Sequence, residues 1–179
     1  MILFAGSPMP ETKGMGRGMM LFAWLIGLLM LTKAFDFWGD RQINPNQTPN
    51  STVNGAGVRE VILQRNRYQH YVTNGRINGS KVQFMLDTGA SDVVVPSKVA
   101  RKLNLAEGLA GYAKTANGTI KIYSTKIDTL QIGDITLRNV RASINPHMGD
   151  GDILLGMSAL RSIEFVQKGD KLTLRQYAE

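Results

Sequence analysis

The order of short elements between residues 59 and 179 constrains this chain more than any single residue does. It passes twice through one succession: hairpin, apolar strand, tight turn, short helix. In the first pass Tyr71–Ile77 leads into Asn78-Gly79, a pair that suits a type I′ turn because both central residues must take positive φ. Lys81–Leu86 then alternates polar and apolar residues, the pattern of a half-buried strand. Asp87-Thr88-Gly89 turns the chain into Val93-Val94-Val95, which Pro96 stops. Residues 97–103 read as a short helix with Ser97 as N-cap. In the second pass Asn117-Gly118 joins 113–116 to 119–123, and Gly133-Asp134 joins 126–132 to 135–140. Asp152–Gly156 is an apolar strand ending on glycine, and Met157–Arg161 begins a second short helix. Glu164–Val166 and Lys171–Leu174 form a closing hairpin around Gly169-Asp170. The expectation is a mainly β domain, a small closed or sandwiched sheet.

The first third of the chain is built differently. Residues 1–17 carry Pro8, Pro10, Gly14 and Gly16, which break helical patterns, and read as an N-terminal tail. Residues 18–38 are apolar and end in Phe37 and Trp38, which suit a membrane interface. That length fits a hydrocarbon core of roughly 30 Å. A signal anchor, a cleaved signal peptide and a buried helix all remain open. Thr32-Lys33-Ala34 is a poor small-x-small cleavage site, which favours the anchor. Lys13 and Arg17 then put the N-terminal side in the cytoplasm and the bulk of the chain outside. Residues 39–58 hold two prolines, several asparagines and little to bury, and read as a flexible linker. The domain proper is expected over 59–179.

Composition removes whole classes of chemistry. The chain has no cysteine, so disulfides and thiolate catalysis are excluded. Two histidines, His70 and His147, leave little for a metal site or a histidine base, so no metal and no cofactor are expected. The net charge of +7 is spread along the chain without a basic block or aromatic interleaving, which argues against nucleic acid as a partner.

What remains is carboxylate chemistry, and one acid stands out. Phe84-Met85-Leu86 carries Asp87 to the end of an apolar strand, at the rim of a core. As plain turn chemistry, Asp followed by Gly is common. Yet an acid held at the end of a buried strand is also a candidate for catalysis. Neither Asp128-Thr129-Leu130 nor Asp134-Ile135-Thr136 has the glycine of a second such turn. One chain would supply one carboxylate.

Leu86-Asp87-Thr88-Gly89-Ala90-Ser91, followed later by Ile153-Leu154-Leu155-Gly156, resembles the retropepsin-type aspartic proteases. It is more similar still to bacterial single-lobe members that carry a membrane anchor, a linker and one Asp-Thr-Gly. The resemblance covers roughly residues 68–175. It implies a single-lobe retropepsin-like closed β-barrel with short helices, and an endopeptidase active as a homodimer on extended peptide segments. It also implies a single-pass protein of the bacterial inner membrane with its catalytic domain in the periplasm. By resemblance Asp87 is catalytic, and Thr88, Gly89, Ala90 and Ser91 support the catalytic loop, with Thr88 bonding across the dimer. Thr115, Ala116, Asn117 and Gly118 form the flap, and Ile153–Gly156 lies under the active site. The family's usual Asp–Arg pair after the motif falls here on Ser91 and Met157 and is missing. Asp92 then either lines the cleft or is solvated, and Leu172-Thr173-Leu174 stands as the candidate interface strand. The competing reading is a catalytically silent, membrane-tethered peptide-binding or dimerisation module of the same fold.

Overall fold

The computed structural model describes residues 13–115, 118–149 and 151–178. In chain order the elements are α1 (Lys13–Ile43), β1 (Asn50–Val53), β2 (Arg59–Gln64), β3 (Val72–Ile77), β4 (Ser80–Leu86), β5 (Val93–Pro96) and α2 (Ser97–Lys102). There follow β6 (Ala110–Thr115), β7 (Gly118–Ile132), β8 (Ile135–Asn145), β9 (Ile153–Leu155), α3 (Met157–Leu160), β10 (Glu164–Lys168) and β11 (Lys171–Gln176). The chain divides into two compact units at Gly39.

The described residues of the N-terminal unit lie in helix α1, which begins at Lys13, so Gly14 and Gly16 do not break it, and which runs on to Ile43. Its apolar side chains are exposed along its length, and by length and composition it is a candidate membrane span. Solvent water would be a poor environment for Trp24, Leu28 and Met30; a hydrocarbon phase would suit them.

The second unit is mainly β, as the alternating strand patterns predict. A seven-stranded sheet runs in the order β3-β4-β9-β5-β8-β7-β6. β3 also pairs back onto β7 through Arg76↔Gln131 and Ile77↔Leu130, so six of the strands form a closed circuit of ladders. The predicted hairpin at Asn78-Gly79 is present, with φ values of 48° and 81° at the two residues. Asn78 also exchanges hydrogen bonds with Thr129 of β7, which holds the turn against the circuit. Phe84, Ile77, Ile127, Leu130 and Leu155 fill the interior and are fully buried. Each such side chain contributes roughly 1.5–3 kcal/mol by leaving water.

Three local expectations are corrected. Ser97 is the first residue of α2 rather than its cap; Pro96 occupies the N-cap, and no side chain caps the helix. β7 runs unbroken through Ser124-Thr125, because those residues stay paired to β8. The stretch that reads as a linker carries β1, which pairs with β2 over Asn50↔Ile62 to Val53↔Arg59.

A second sheet, β1-β2-β11-β10, packs Val61, Leu63, Leu172 and Leu174 into the same core. β11 is central in it, laddered to β10 on one side and β2 on the other. Leu172-Thr173-Leu174 is therefore committed within its own chain and has no free edge to offer another copy. Arg175 pairs with Glu60 at 2.6 Å across β11 and β2, a hydrogen bond that raises the guanidinium above its ordinary range. Tyr177 donates to Glu164, which holds the phenol above its ordinary value.

Circuit closure depends on one missing side chain. A Cβ on Gly75 would lie 2.3 Å from the Gln131 carbonyl oxygen and 2.6 Å from the Phe84 ring. Gly75→Ala is expected to lower stability by about 2–3 kcal/mol, as overpacking in a tight core does. Urea unfolding of the detergent-solubilised chain checks this, and an unchanged midpoint would contradict it.

Candidate functional site

The register of two parallel strands sets the position of Asp87. β4 and β9 run side by side with Phe84↔Ile153, Met85↔Leu154 and Leu86↔Leu155 as partners. The ladder continues one step past the strand, where the Asp87 N–H donates to the Leu155 carbonyl at 3.2 Å. Asp87 is thus delivered half-buried at the end of a paired strand. Its Oδ1 accepts the Gly89 N–H at 2.9 Å, an Asx-type turn that orients the carboxylate. The Ala90 N–H closes the loop on the Asp87 carbonyl at 3.2 Å.

The far side of the loop is fastened to the start of α3. Met157 N–H donates to the Ala90 carbonyl at 2.8 Å and Ser158 N–H to the Ser91 carbonyl at 2.9 Å. The approach is close enough to demand glycine at 156: a Cβ there would stand 2.1 Å from the Asp92 carbonyl oxygen and 2.6 Å from that of Ala90. Ile153 and Leu155 point into the core, while Leu154 is only half-buried and lines the cleft above. Of the run Ile153–Gly156, Leu155 anchors Asp87 through its carbonyl and Leu154 lines the cleft.

Two contributors were not assigned from sequence. Ser158 is 7% exposed; its hydroxyl donates to the Arg141 carbonyl at 2.7 Å and accepts the Val93 N–H at 2.9 Å. This serine, two residues after Gly156, is a brace. Asp92 pairs with Arg141 of β8, Oδ1 to Nε at 2.7 Å, while also lining the cleft. Being partly exposed, that pair fixes geometry more than it adds stability; such pairs contribute roughly 0–1 kcal/mol. The only hint in the sequence was an acid one residue past the expected position.

The cleft itself has a volume of about 770 Å³. Asp87, Ser91 and Asp92 form one wall, Tyr112 and Thr115 of the β6–β7 hairpin another, and Val94, Ile120, Ile122 and Leu154 supply apolar surface. Gly89 and Ala90 line it beside Asp87. At the hairpin's end Thr115 pairs with Gly118 and donates its hydroxyl to the Gly118 carbonyl at 2.8 Å. Gly118 takes φ of 113°, a conformation that favours glycine. Ala116 and Asn117, expected at the tip, lie outside the described residues. Thr88 does not join this cleft. It is exposed and borders a separate, smaller hollow with Leu86, Tyr71, Leu160, Phe165 and Gln167.

The chain is similar to known proteins. The family model described as "gag-polyprotein putative aspartyl protease" matches residues 73–162, from the first hairpin through α3. The crystal structure of a retropepsin-like aspartic protease from Rickettsia conorii is 30% identical and aligns with a TM-score of 0.55, covering 73% of this chain and 97% of that one. An uncharacterised Sinorhizobium protein from the cobV 5′ region is 29% identical, over 89% of this chain and 74% of its own length. An uncharacterised protein of Rickettsia prowazekii is 32% identical over 67% of this chain, which spans about half (52%) of that relative. The matched segment contains the strand that ends at Asp87, the β6–β7 hairpin and the β9–α3 support together, and the chain belongs to this aspartyl protease family, with a retropepsin-like fold.

Proposed function

We propose that the chain is an aspartic endopeptidase that works as a two-fold homodimer, with Asp87 of each copy forming a shared catalytic pair. The observation that carries this reading is one Asp-Thr-Gly carboxylate per chain, oriented by a braced loop in a peptide-sized cleft whose other lining acid, Asp92, is paired with Arg141. Two carboxylates about 3 Å apart cannot both ionise, so one holds a proton while the other accepts one from water. The water oxygen bonds to the scissile carbonyl carbon, and the protonated Asp87 gives its proton to the carbonyl oxygen. The resulting tetrahedral diol collapses as the amide nitrogen is protonated and the C–N bond breaks.

Extended peptide is the substrate class the cleft fits. Apolar residues Val94, Ile120, Ile122 and Leu154 would take side chains, while the hairpin over the cleft offers backbone groups to an added strand. In our reading the hairpin, with Thr115, Ala116, Asn117 and Gly118 at its end, is a lid that excludes water once peptide is bound.

For the second copy, the face bearing Thr88 is the natural candidate. Phe165 of β10 is exposed there, and β10 is an edge strand with one side unpaired among the described residues. Thr88, in the loop that would face a second Asp87, borders that hollow. We assign α1 to a single-pass anchor, with Lys13 and Arg17 on the cytoplasmic side and the β unit in the periplasm of a bacterium. Residues 1–17 are then the tail, 18–38 the span and 59–179 the protease domain, with part of 39–58 docked on that domain rather than slack.

Two experiments follow. The purified chain is expected to cleave an unfolded protein at mildly acidic pH, and Asp87→Asn to lose at least about 10³-fold in rate with its circular dichroism unchanged. Equal cleavage by both would remove Asp87 from the mechanism. Absence of cleavage by a dimeric wild type would favour the silent peptide-binding module. Separately, Phe165→Lys should weaken self-association by at least about tenfold in sedimentation, since it puts a charge into an apolar contact. A dimer of unchanged affinity would move the interface elsewhere.

A further inference from the structure

We infer that residues 43–53, which lie before the domain start at residue 59 implied by composition, are a docked strap belonging to the catalytic unit. A cut that frees that unit must therefore fall N-terminal to Ile43. The inference rests on the proposed protease reading only for the name of the unit; its structural content is independent of activity.

Asn46 carries the argument. It is 4% exposed although it sits in a polar, proline-flanked stretch. Its side-chain amide donates to the carbonyls of Gln64 at 2.9 Å and Val72 at 2.7 Å, and its Oδ1 accepts the Gln64 N–H at 2.7 Å. Its main-chain carbonyl accepts from Asn74 N–H and from the Thr73 hydroxyl, both at 3.2 Å. Its own N–H donates to Asn44 Oδ1 at 2.9 Å. Gln64 ends β2 of the four-stranded sheet, whereas Val72, Thr73 and Asn74 belong to β3 of the seven-stranded one. One asparagine thus bridges the two sheets. An amide can do so because it presents donor and acceptor together, as a peptide group does.

A second set of bonds leads toward the site. Asn44 Nδ2 donates to Asn74 Oδ1 and to Gln83 Oε1, each at 2.9 Å, and Gln83 Nε2 donates to Asp152 Oδ1 at 2.5 Å. Asn74 and Gln83 are cross-strand partners, and Asp152 immediately precedes β9, so this polar row crosses β3, β4 and β9. β4 is the strand that ends at Asp87. Farther along, the Ile43 carbonyl accepts from Asn66 Nδ2 at 2.8 Å, and the Ser51 hydroxyl exchanges hydrogen bonds with Asp134 at 2.6 and 2.8 Å. Without the strap, the Gln64 and Asn74 N–H groups, the Val72 carbonyl and one edge of β2 would lose their partners. Buried polar groups left unmade are costly.

The test uses the full chain in detergent, tagged at its N-terminus, with a site-specific protease sequence inserted in the Asn54–Gly57 turn. After cutting, the tagged fragment is expected to retain the β unit on a pull-down resin. Asn46→Ala should weaken that retention roughly 10- to 100-fold, and Asn44→Ala, which spares the contacts to Gln64 and Val72, roughly 3- to 10-fold. The same cleavage sequence placed between Gly39 and Asp40 should release the β unit. Free elution of the β unit after the wild-type chain is cut at 54–57 would overturn the inference, as would retention unaffected by both variants. Because the readout is retention, an inactive protease would leave this test standing.

Discussion

The position of the Asp87 carboxylate depends on a single backbone junction. β4 and β9 lie parallel, and the Asp87 N–H extends their ladder by one bond to Leu155. Everything around that junction preserves it. Gly156 lets the next segment come within contact of the loop carbonyls, and the N-terminal amides of α3 fasten those carbonyls. Ser158 ties the far end of the loop to β8, and Asp92 reaches the same strand through Arg141. The bonds are individually modest, about 1 kcal/mol each. Their effect is geometric: in the proposed pair, a carboxylate that has to meet another at a defined separation cannot sit on a loop free to move.

Much of this was legible from sequence because it is local. The Asn78-Gly79 turn follows from backbone chirality, and the strands flanking it from alternation. The apolar run before Asp87 and the Ile-Leu-Leu-Gly run at 153–156 each announce a buried strand reaching a turn. What could not be read is long-range and polar. Asn46 is buried because two sheet edges happen to offer complementary groups, and nothing near it in the chain signals this. Composition therefore described 39–58 as slack, although its asparagines are satisfied by residues far along the chain. Ser158 was hidden for a similar reason, since its partners, Val93 and Arg141, come from two separate strands.

The β11 strand illustrates a different limit. Leu172-Thr173-Leu174 has the pattern of a strand, and the pattern is correct. Which neighbours it takes is a matter of topology: β2 and β10 occupy both its edges within the chain. In the proposed dimer, contact with a second copy is sought at β10, where Phe165 is exposed and borders the same hollow as Thr88. Holding two chains in one membrane by their helices would raise their effective concentration, so a modest interface could suffice.

The central claim is that Asp87 is half of a site. Mixing wild-type and Asp87→Asn chains at known ratios and allowing exchange before assay tests it most directly. If two copies of Asp87 share one water, activity falls as the square of the wild-type fraction, because a mixed pair is inactive. Activity falling in simple proportion to that fraction would mean each chain works alone and would contradict the account.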